Sequence, residues 1–411
     1  MGTVKSLLNK VNSGGQIRSV SIEEIAETQR GFSFNEKKYR KSGLPIIKVL
    51  NVQNGEINTK ELVYFDKKDY SKDLKKFLLK PGEVCITTSG ASSGKIAFNN
   101  HQQDFYISST VCKFNIKPQL IISKYLYYSL LCIQKDIHDL VRGGAVKGLP
   151  VEKLKKLIIP LPSIKIQEKI TETLDLWVST KNELNKDLSK ELTLRKQQYE
   201  YYRDKLISDV IDKGTGKYKT LNEIVTKIYR GNGIKKEHIG SGTHPYIVYG
   251  EIYTKYNIKV DKCISSINPD LIPKKRYCEY GDLLVTLTGE NTKEIAKVCA
   301  YLDNKKCIAG WGLFVLKHKQ NPRYLAYALS TTQANLQKEK LATLSTLANI
   351  SAKAIQKIKI PIPPLEIQEK IANFLDQLRS LTEELEKDIR QEIKLANERY
   401  KHYRDSLILN K

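Results

Sequence analysis

The sequence predicts a mixed α/β fold built twice: two globular domains separated by two long antiparallel coiled-coil helices, in a pseudo-twofold internal repeat. Three observations predict it. Residues 158–177 align with 359–378 at an offset of 201, with ten of the twenty positions identical and IQEKI unbroken. One apolar stripe then continues in the same register through both copies although the residues between diverge. Upstream of each copy lies a stretch of short β-branched and aromatic runs punctuated by Gly and Pro.

The stripe consists of Leu174, Trp177, Leu184, Leu188, Leu192, Tyr199, Tyr202 and Leu206. Its counterparts 201 residues on are Leu375, Leu378, Leu385, Ile389, Ile393, Tyr400, Tyr403 and Leu407. A seam kept at helical spacing through a changing background is a buried face. Pro160 and Pro162, and Pro361, Pro363 and Pro364, exclude helix and set an extended entry to each seam. A helix beginning near Ile164 and ending near Asp209 would span roughly 65–70 Å at 1.5 Å per residue. The second begins at Leu365. Neither can satisfy its seam alone, and each is the other's obvious partner. One domain must return the chain between them, so the packing is expected to be antiparallel. DKGTGK (212–217) is the hinge.

The expected boundaries are a helical segment at 1–17 packing near the coil ends, a first domain at 18–160, a first long helix at 161–211, a second domain at 212–361 and a second long helix at 362–411. Within the domains, GLPIIKVLNV, GEVCITT, YISSTVCKFNI and GDLLVTLTG read as strands. Residues 122–140 and 322–341 each read as one amphipathic helix. The domains repeat more loosely: SIEEIAETQRG (21–31) with LNEIVTKIYRG (221–231), GEVCITTSG (82–90) with GDLLVTLTG (281–289), KYLYYSL (124–130) with RYLAYAL (323–329).

The formal net charge is +24, which points to a polyanion, nucleic acid before an acidic membrane. Residues 18–160 carry 24 Lys+Arg against 14 Asp+Glu, and 217–361 carry 24 against 11. The helical segments are balanced, 9 against 9 over 161–210 and 9 against 10 over 362–411. The excess therefore sits on the globular domains. A membrane-binding helix would carry it on the helix itself, so no membrane partner is expected. No run of eighteen apolar residues occurs, and MGTVKSLLNKVNSGG lacks the apolar core of a signal peptide. Seven cysteines without a CxxC pair read as reduced thiols of a cytoplasmic protein, and six scattered histidines show no metal-ligand spacing.

SGASSGK (89–95) is not a nucleotide-binding loop. Gly90 and Gly94 are one residue too close, and Ile96 stands where a magnesium-binding hydroxyl is needed. Two readings remain open: a Gly-rich turn closing two strands, or a polar loop approaching DNA through Thr87, Thr88, Ser89, Ser92, Ser93 and Lys95. The second copy would offer Thr286, Thr288, Asn291 and Lys293. VRGGAVKGL (141–149) supplies Arg142 and Lys147, either on a plain surface loop or toward DNA. Lys274, Lys275 and Arg276 form a basic cluster that is a solvated run or a phosphate contact. Domain arginines are few (18, 30, 40 and 142; 230, 276 and 323), and Arg30 and Arg230 occupy matching places before a glycine. Trp311, in AGWGLF, reads as core. No NPPY/F, GxGxxG, HExxH or GxSxG motif is present, so no catalytic residue is assigned.

At IPLP…IQEKI and IPIPPLEIQEKI, with the TSG…GK stretch, the YLYYSL helix and the Y-x-x-YRD ends of both long helices (Tyr199–Asp204, Tyr400–Asp405), the chain resembles the specificity (S) subunits of type I restriction–modification enzymes. The resemblance covers nearly the whole chain. It implies two target-recognition domains, each reading half of a split double-stranded DNA sequence, with the helices as an antiparallel spacer. It implies that methylation belongs to two modification subunits docked on the helices, and translocation and cleavage to restriction subunits. S-adenosylmethionine, ATP and Mg would then sit on those partners, with no cofactor and no metal in this subunit. The specificity subunit of a type IIB or solitary methyltransferase system is the neighbouring alternative. A coiled-coil scaffold binding a polyanion without sequence choice is the alternative of a different class.

Overall fold

The computed structural model describes residues 17–53, 55–141, 148–234, 236–344 and 347–409. The expected helical segment at 1–17 lies outside them except for Ile17, which is not helical. The chain forms two units that cut across its linear order. One comprises the residues up to Asp187 together with those from Gln391 onward, the other Leu188–Arg390. Each unit thus takes one domain, part of the first long helix (Ile164–Asp212) and part of the second (Leu365–Leu409). The linear division after each helix is not the physical one.

Both units start from the same local chemistry. In the first, Arg18–Ser21 pairs antiparallel with the proline-bearing Ile158–Leu161; in the second, Lys217–Thr220 pairs with Lys359–Ile362. A capping box follows each: Ser21 with Glu24, and Thr220 with Glu223. After the proline strand comes the glutamine of IQEKI, fully buried in both copies. Gln167 donates from Nε2 to the carbonyls of Leu120 (3.0 Å) and Pro162 (2.9 Å) and accepts from the Ile122 amide (2.9 Å). Gln368 donates to the Pro363 carbonyl (2.8 Å) and Gln320 Oε1 (2.7 Å) and accepts from the Asn321 amide (3.0 Å). A second tie lies two turns on. The Tyr128 hydroxyl donates to Asp175 and the Tyr327 hydroxyl to Asp376, both at 2.5 Å. Lys124 pairs with Asp175 at 2.9 Å, and Arg323 with Asp376 at 2.8 Å.

The helices run antiparallel within each unit. In the first, Trp177 packs on Tyr403 (ring centroids 4.6 Å) and Lys181 lies 4.9 Å above the Tyr400 ring, so one helix advances as the other recedes. In the second, Lys196 pairs with Glu386 (3.7 Å). The first helix stops as DKGTGK predicts: Gly214 adopts φ +66°, and the amides of Gly214 and Thr215 close on the carbonyls of Ile211 and Val210. Leu174, Leu375, Ile389 and Leu407 are buried, and Trp177, Leu188, Leu192, Tyr199, Leu206, Leu378, Leu385, Ile393, Tyr400 and Tyr403 are half-buried. Leu184 and Tyr202 are exposed instead, and the seam passes through Ile207, Val210 and the buried Arg203 and Arg404. Each guanidinium is neutralised by the aspartate beside it, Asp204 and Asp405.

Each domain holds a sheet whose ladders are antiparallel, save one parallel edge strand in the second, beside a four-stranded mixed sheet. The first has the order Ala26–Arg30, Val111–Ile116, Val84–Thr87, Ile96–Phe98. The second has Val225–Arg230, Leu313–His318, Leu283–Thr286, Val298–Tyr301 and, parallel to the last, Lys259–Val260. The expected single helices at 122–140 and 322–341 are each two, Ser123–Cys132 with Gln134–Asp139 and Pro322–Ala328 with Thr332–Leu341. Thr331 breaks the later pair by capping the amide of Ala334. Cys85 and Cys112 are buried in two separate apolar clusters of the first domain, where burial pushes their thiols up to about 12.

Replacing Gln167 or Gln368 by Ala should strand several buried backbone partners, at about 1–3 kcal/mol each. Urea denaturation is expected to show a loss of about 3 kcal/mol or more for either variant, while exposed Lys169→Ala changes stability by less than about 0.5 kcal/mol.

Candidate nucleic-acid interface

In each central sheet, antiparallel pairing brings three chain segments to one end. Arg30 ends its strand opposite Cys112, and Thr87 ends its strand opposite Val111. In the second unit Arg230 faces Phe314, and Thr286 faces Leu313. The segment after the neighbouring helices returns to the same end: Gly148 bridges Ser89, and Ala348–Asn349 pairs with Thr288–Gly289. The sheet thereby gathers Arg30, Thr87, Thr88, Ser89, Ser92, Ser93 and Lys95 in one unit, and Arg230, Thr286, Thr288, Asn291 and Lys293 in the other. Arg142 and Lys147 lie outside the described residues.

The gathered residues divide by what their polar atoms already do. Thr87 is buried; its hydroxyl bonds the Ser92 carbonyl and accepts the Lys95 amide at 3.0 Å. Ser93 Oγ donates to the Gly90 carbonyl at 2.8 Å, and Gly90 and Gly94 take φ of +85° and +88°. Thr286 repeats the Thr87 role, accepting the Lys297 amide (3.0 Å) beside the Tyr253 hydroxyl (2.7 Å). Asn291 Oδ1 caps the amides of Lys293 and Glu294, each at 3.0 Å. Thr88 and Thr288 are buried. Thr87, Ser93 and Thr286 build the loops through their hydroxyls, and Thr88 and Thr288 are buried beside them, which corrects the sequence expectation of outward donors for these five; Asn291 is exposed and commits only its Oδ1 to the loop. Ser89, Ser92 and Lys95 are half-buried, while Arg30, Arg230 and Lys293 are exposed.

Of the other arginines, Arg40 is bound to Asp66 and Asp69, and Arg323 to Glu369 and Asp376. Lys274 and Lys275 are exposed, and Arg276 leans over the Tyr229 ring at 5.9 Å. Trp311 is not core: it is 50% exposed on the turn between Cys307–Ala309 and Leu313–His318. Arg230 lies over its face at 5.1 Å, and Tyr249 meets it edge-on at 6.4 Å. The signal was present in the sequence as the glycines on either side, which leave an indole little backbone-local cover.

Beside the second loop lies a cleft of about 830 Å³ lined by Tyr199, Tyr253, Arg203, Lys293, Lys338 and Arg379 among others. Lys338 is buried with its ammonium on Asn335 Oδ1 (3.2 Å), and burial, with Arg203 nearby, pulls its pKa down to about 7. Among the described residues no group of three His, Cys, Asp or Glu could hold a metal ion, and no helix is long and apolar enough to cross a membrane. The exposed chemistry at both sheet ends is cationic, with the Ser89 and Ser92 hydroxyls beside it at the first end and the Trp311 indole at the second. Such a surface attracts phosphates and carries planar donors for base edges.

The family described as type I restriction modification DNA specificity domain matches the chain twice, over residues 16–194 and 214–395. The chain is 28% identical over 323 residues to the specificity subunit of the Escherichia coli type I restriction enzyme EcoR124I/EcoR124II, covering 74% of this chain and 75% of that one. The HsdS subunit from Thermoanaerobacter tengcongensis shares the fold with a TM-score of 0.55 at 15% identity, over 95% of this chain and 96% of that one. A chain from work on complex assembly and conformational transition of the type I R-M system matches with a TM-score of 0.74 at 16% identity, over 95% and 97%.

Thr87→Val removes the hydroxyl that closes the first loop and should cost about 1–2 kcal/mol. Amide hydrogen exchange at Gly94 and Lys95 is expected to quicken in this variant and to stay unchanged in Lys95→Ala.

Proposed function

Since this chain belongs to the type I restriction modification DNA specificity family, with one such domain in each half, we propose that its domains read the two halves of a bipartite double-stranded DNA target. The long helices hold those readers apart and dock the modification subunits. The observation that carries this reading is the recurrence of one surface, an exposed arginine and a hydroxyl-wired loop at the same sheet end, with different side chains around it in each copy. Equal scaffolds with unequal surfaces suit two different half-sites. The excess charge on the domains supplies phosphate attraction, so affinity should fall steeply with salt.

Catalysis then belongs to partners: methyl transfer to modification subunits, and translocation and cleavage to restriction subunits, which would hold S-adenosylmethionine, ATP and Mg. The helices support docking by their neutral charge and by apolar side chains left in solvent. In the second unit Phe374 and Leu381 are 50% and 64% exposed, seven residues apart on one helix, and Leu194 and Tyr201 repeat that spacing on the other. Seven residues bring side chains back to one helix face. A reduced cytoplasmic setting, with the host chromosome, is the matching location.

Methylation mapping of a host with and without this gene should return one split motif with an indifferent spacer; methylation or binding that ignores sequence would sink the reading. Inserting four residues at matched points in both helices should change the spacer length and leave both half-sites intact. A changed half-site would contradict the spacer role. Phe374→Glu combined with Leu381→Glu is expected to weaken co-purification with modification subunits about tenfold or more, with DNA binding by the domains retained.

A further inference from the structure

We propose that Arg230, lying over the Trp311 ring, is the side chain with which the second domain reads a guanine from the major groove. The inference rests on the DNA-reading function above and names the base and the device. Arg230 is exposed at the end of Val225–Arg230, and among the described residues no carboxylate lies within ion-pair distance of it. Its guanidinium carbon sits 5.1 Å from the Trp311 ring centroid. Guanidinium N–H donors radiate in the plane of the group. An indole beneath the group restricts the orientations of the fork, and the N–H donors directed away from the ring stay available to two acceptors such as guanine O6 and N7.

The platform beneath is fixed by backbone contact. Gly231 follows Arg230 so closely against the Gly310 carbonyl that a Cβ there would stand 2.2 Å away. A Cβ on Gly310 would fall 2.5 Å from the Ile247 carbonyl oxygen. Gly312, at φ +89°, would drive one to 2.9 Å from the Tyr249 ring. The residues on both sides of Trp311 thus admit no side chain, and the indole is held between them with Tyr249 against its edge. Trp311 acts through Arg230 and is a positioning residue.

The first domain lacks the device. Phe32 bridges Ser108 as Asn232 bridges Gly310, which sets Ser109 in the place of Trp311. Ser109 is exposed, and among the described residues no ring lies under Arg30. Only the second half-site should depend on the stacked pair.

The test is methylation mapping, with competition binding, of the assembled complex carrying Arg230→Ala, Arg230→Lys, Trp311→Ser or Trp311→Phe. Arg230→Ala should relax one guanine of one half-site, lowering discrimination about ten- to hundredfold, with the other half unchanged. Lysine, lacking the fork, should restore affinity without restoring the choice of base. Trp311→Ser should weaken discrimination at that same guanine, and Trp311→Phe should keep most of it. A split motif that Arg230→Ala leaves intact, or an affinity that falls evenly for all sequences, overturns the proposal and spares the function. A wild-type complex without a split motif overturns both. The unchanged first half-site reports in each variant that the complex has assembled.

Discussion

The glutamine of IQEKI is the constraint on which each unit depends. Proline brings no N–H to a ladder, and where the strand runs out the carbonyls of Pro162 and Pro363 need a donor from elsewhere, because a buried carbonyl without a partner is costly. Gln167 and Gln368 spend both ends of one amide on this junction, tying the proline strand to the segment that opens the domain helix. The Tyr–Asp tie follows eight residues later, about 12 Å along the helix axis. Two ties on one helix fix its rotation as well as its position. Rotation decides which stripe meets the core, so an unbroken IQEKI and a shared apolar register are one requirement seen twice.

That requirement separates what can vary from what cannot. Arg–Gly corners recur because Gly31 and Gly231 press on the backbone of the neighbouring turn, where a Cβ would stand 2.2 Å from a carbonyl oxygen. The side chains that rise from those turns face solvent and meet no such limit. Ser109 in one copy and Trp311 in the other occupy the same backbone setting. Internal wiring of the loops reinforces the separation. Thr87, Thr286 and Asn291 satisfy the loop's own amides, so the residues outside that wiring can change without unfolding the loop.

Much of this was legible in the sequence, for physical reasons that also mark the limits. The repeat, both helix starts, the hinge and the main strands follow from proline exclusion, glycine turns and periodicity, which are local. The exact seam was less legible. Helical spacing admits Tyr202 and excludes Arg203, yet Arg203 is buried because Asp204 neutralises it and its aliphatic stem is apolar. Hydroxyls were the weakest guide. Thr87 and Ser89 look alike as donors, and only the fold tells which one faces inward. Trp311 misled for the opposite reason, since large aromatic residues are commonly buried, while its flanking glycines argued for a turn.

The division of charge follows from the same mechanics. A helix seam that must hold its register can tolerate neither a one-sided charge field, which would repel along its length, nor freely drifting apolar positions. Balanced signs and a conserved seam are what survive under that restriction, together with outward apolar pairs at seven-residue spacing such as Phe374 and Leu381. The domains carry no comparable restriction beyond their cores and corners. Positive charge can therefore accumulate there, where it attracts a duplex while the helices stay neutral. Separating the helix seam from the charged surface lets the exposed side chains of either domain change while the helix register stays constant.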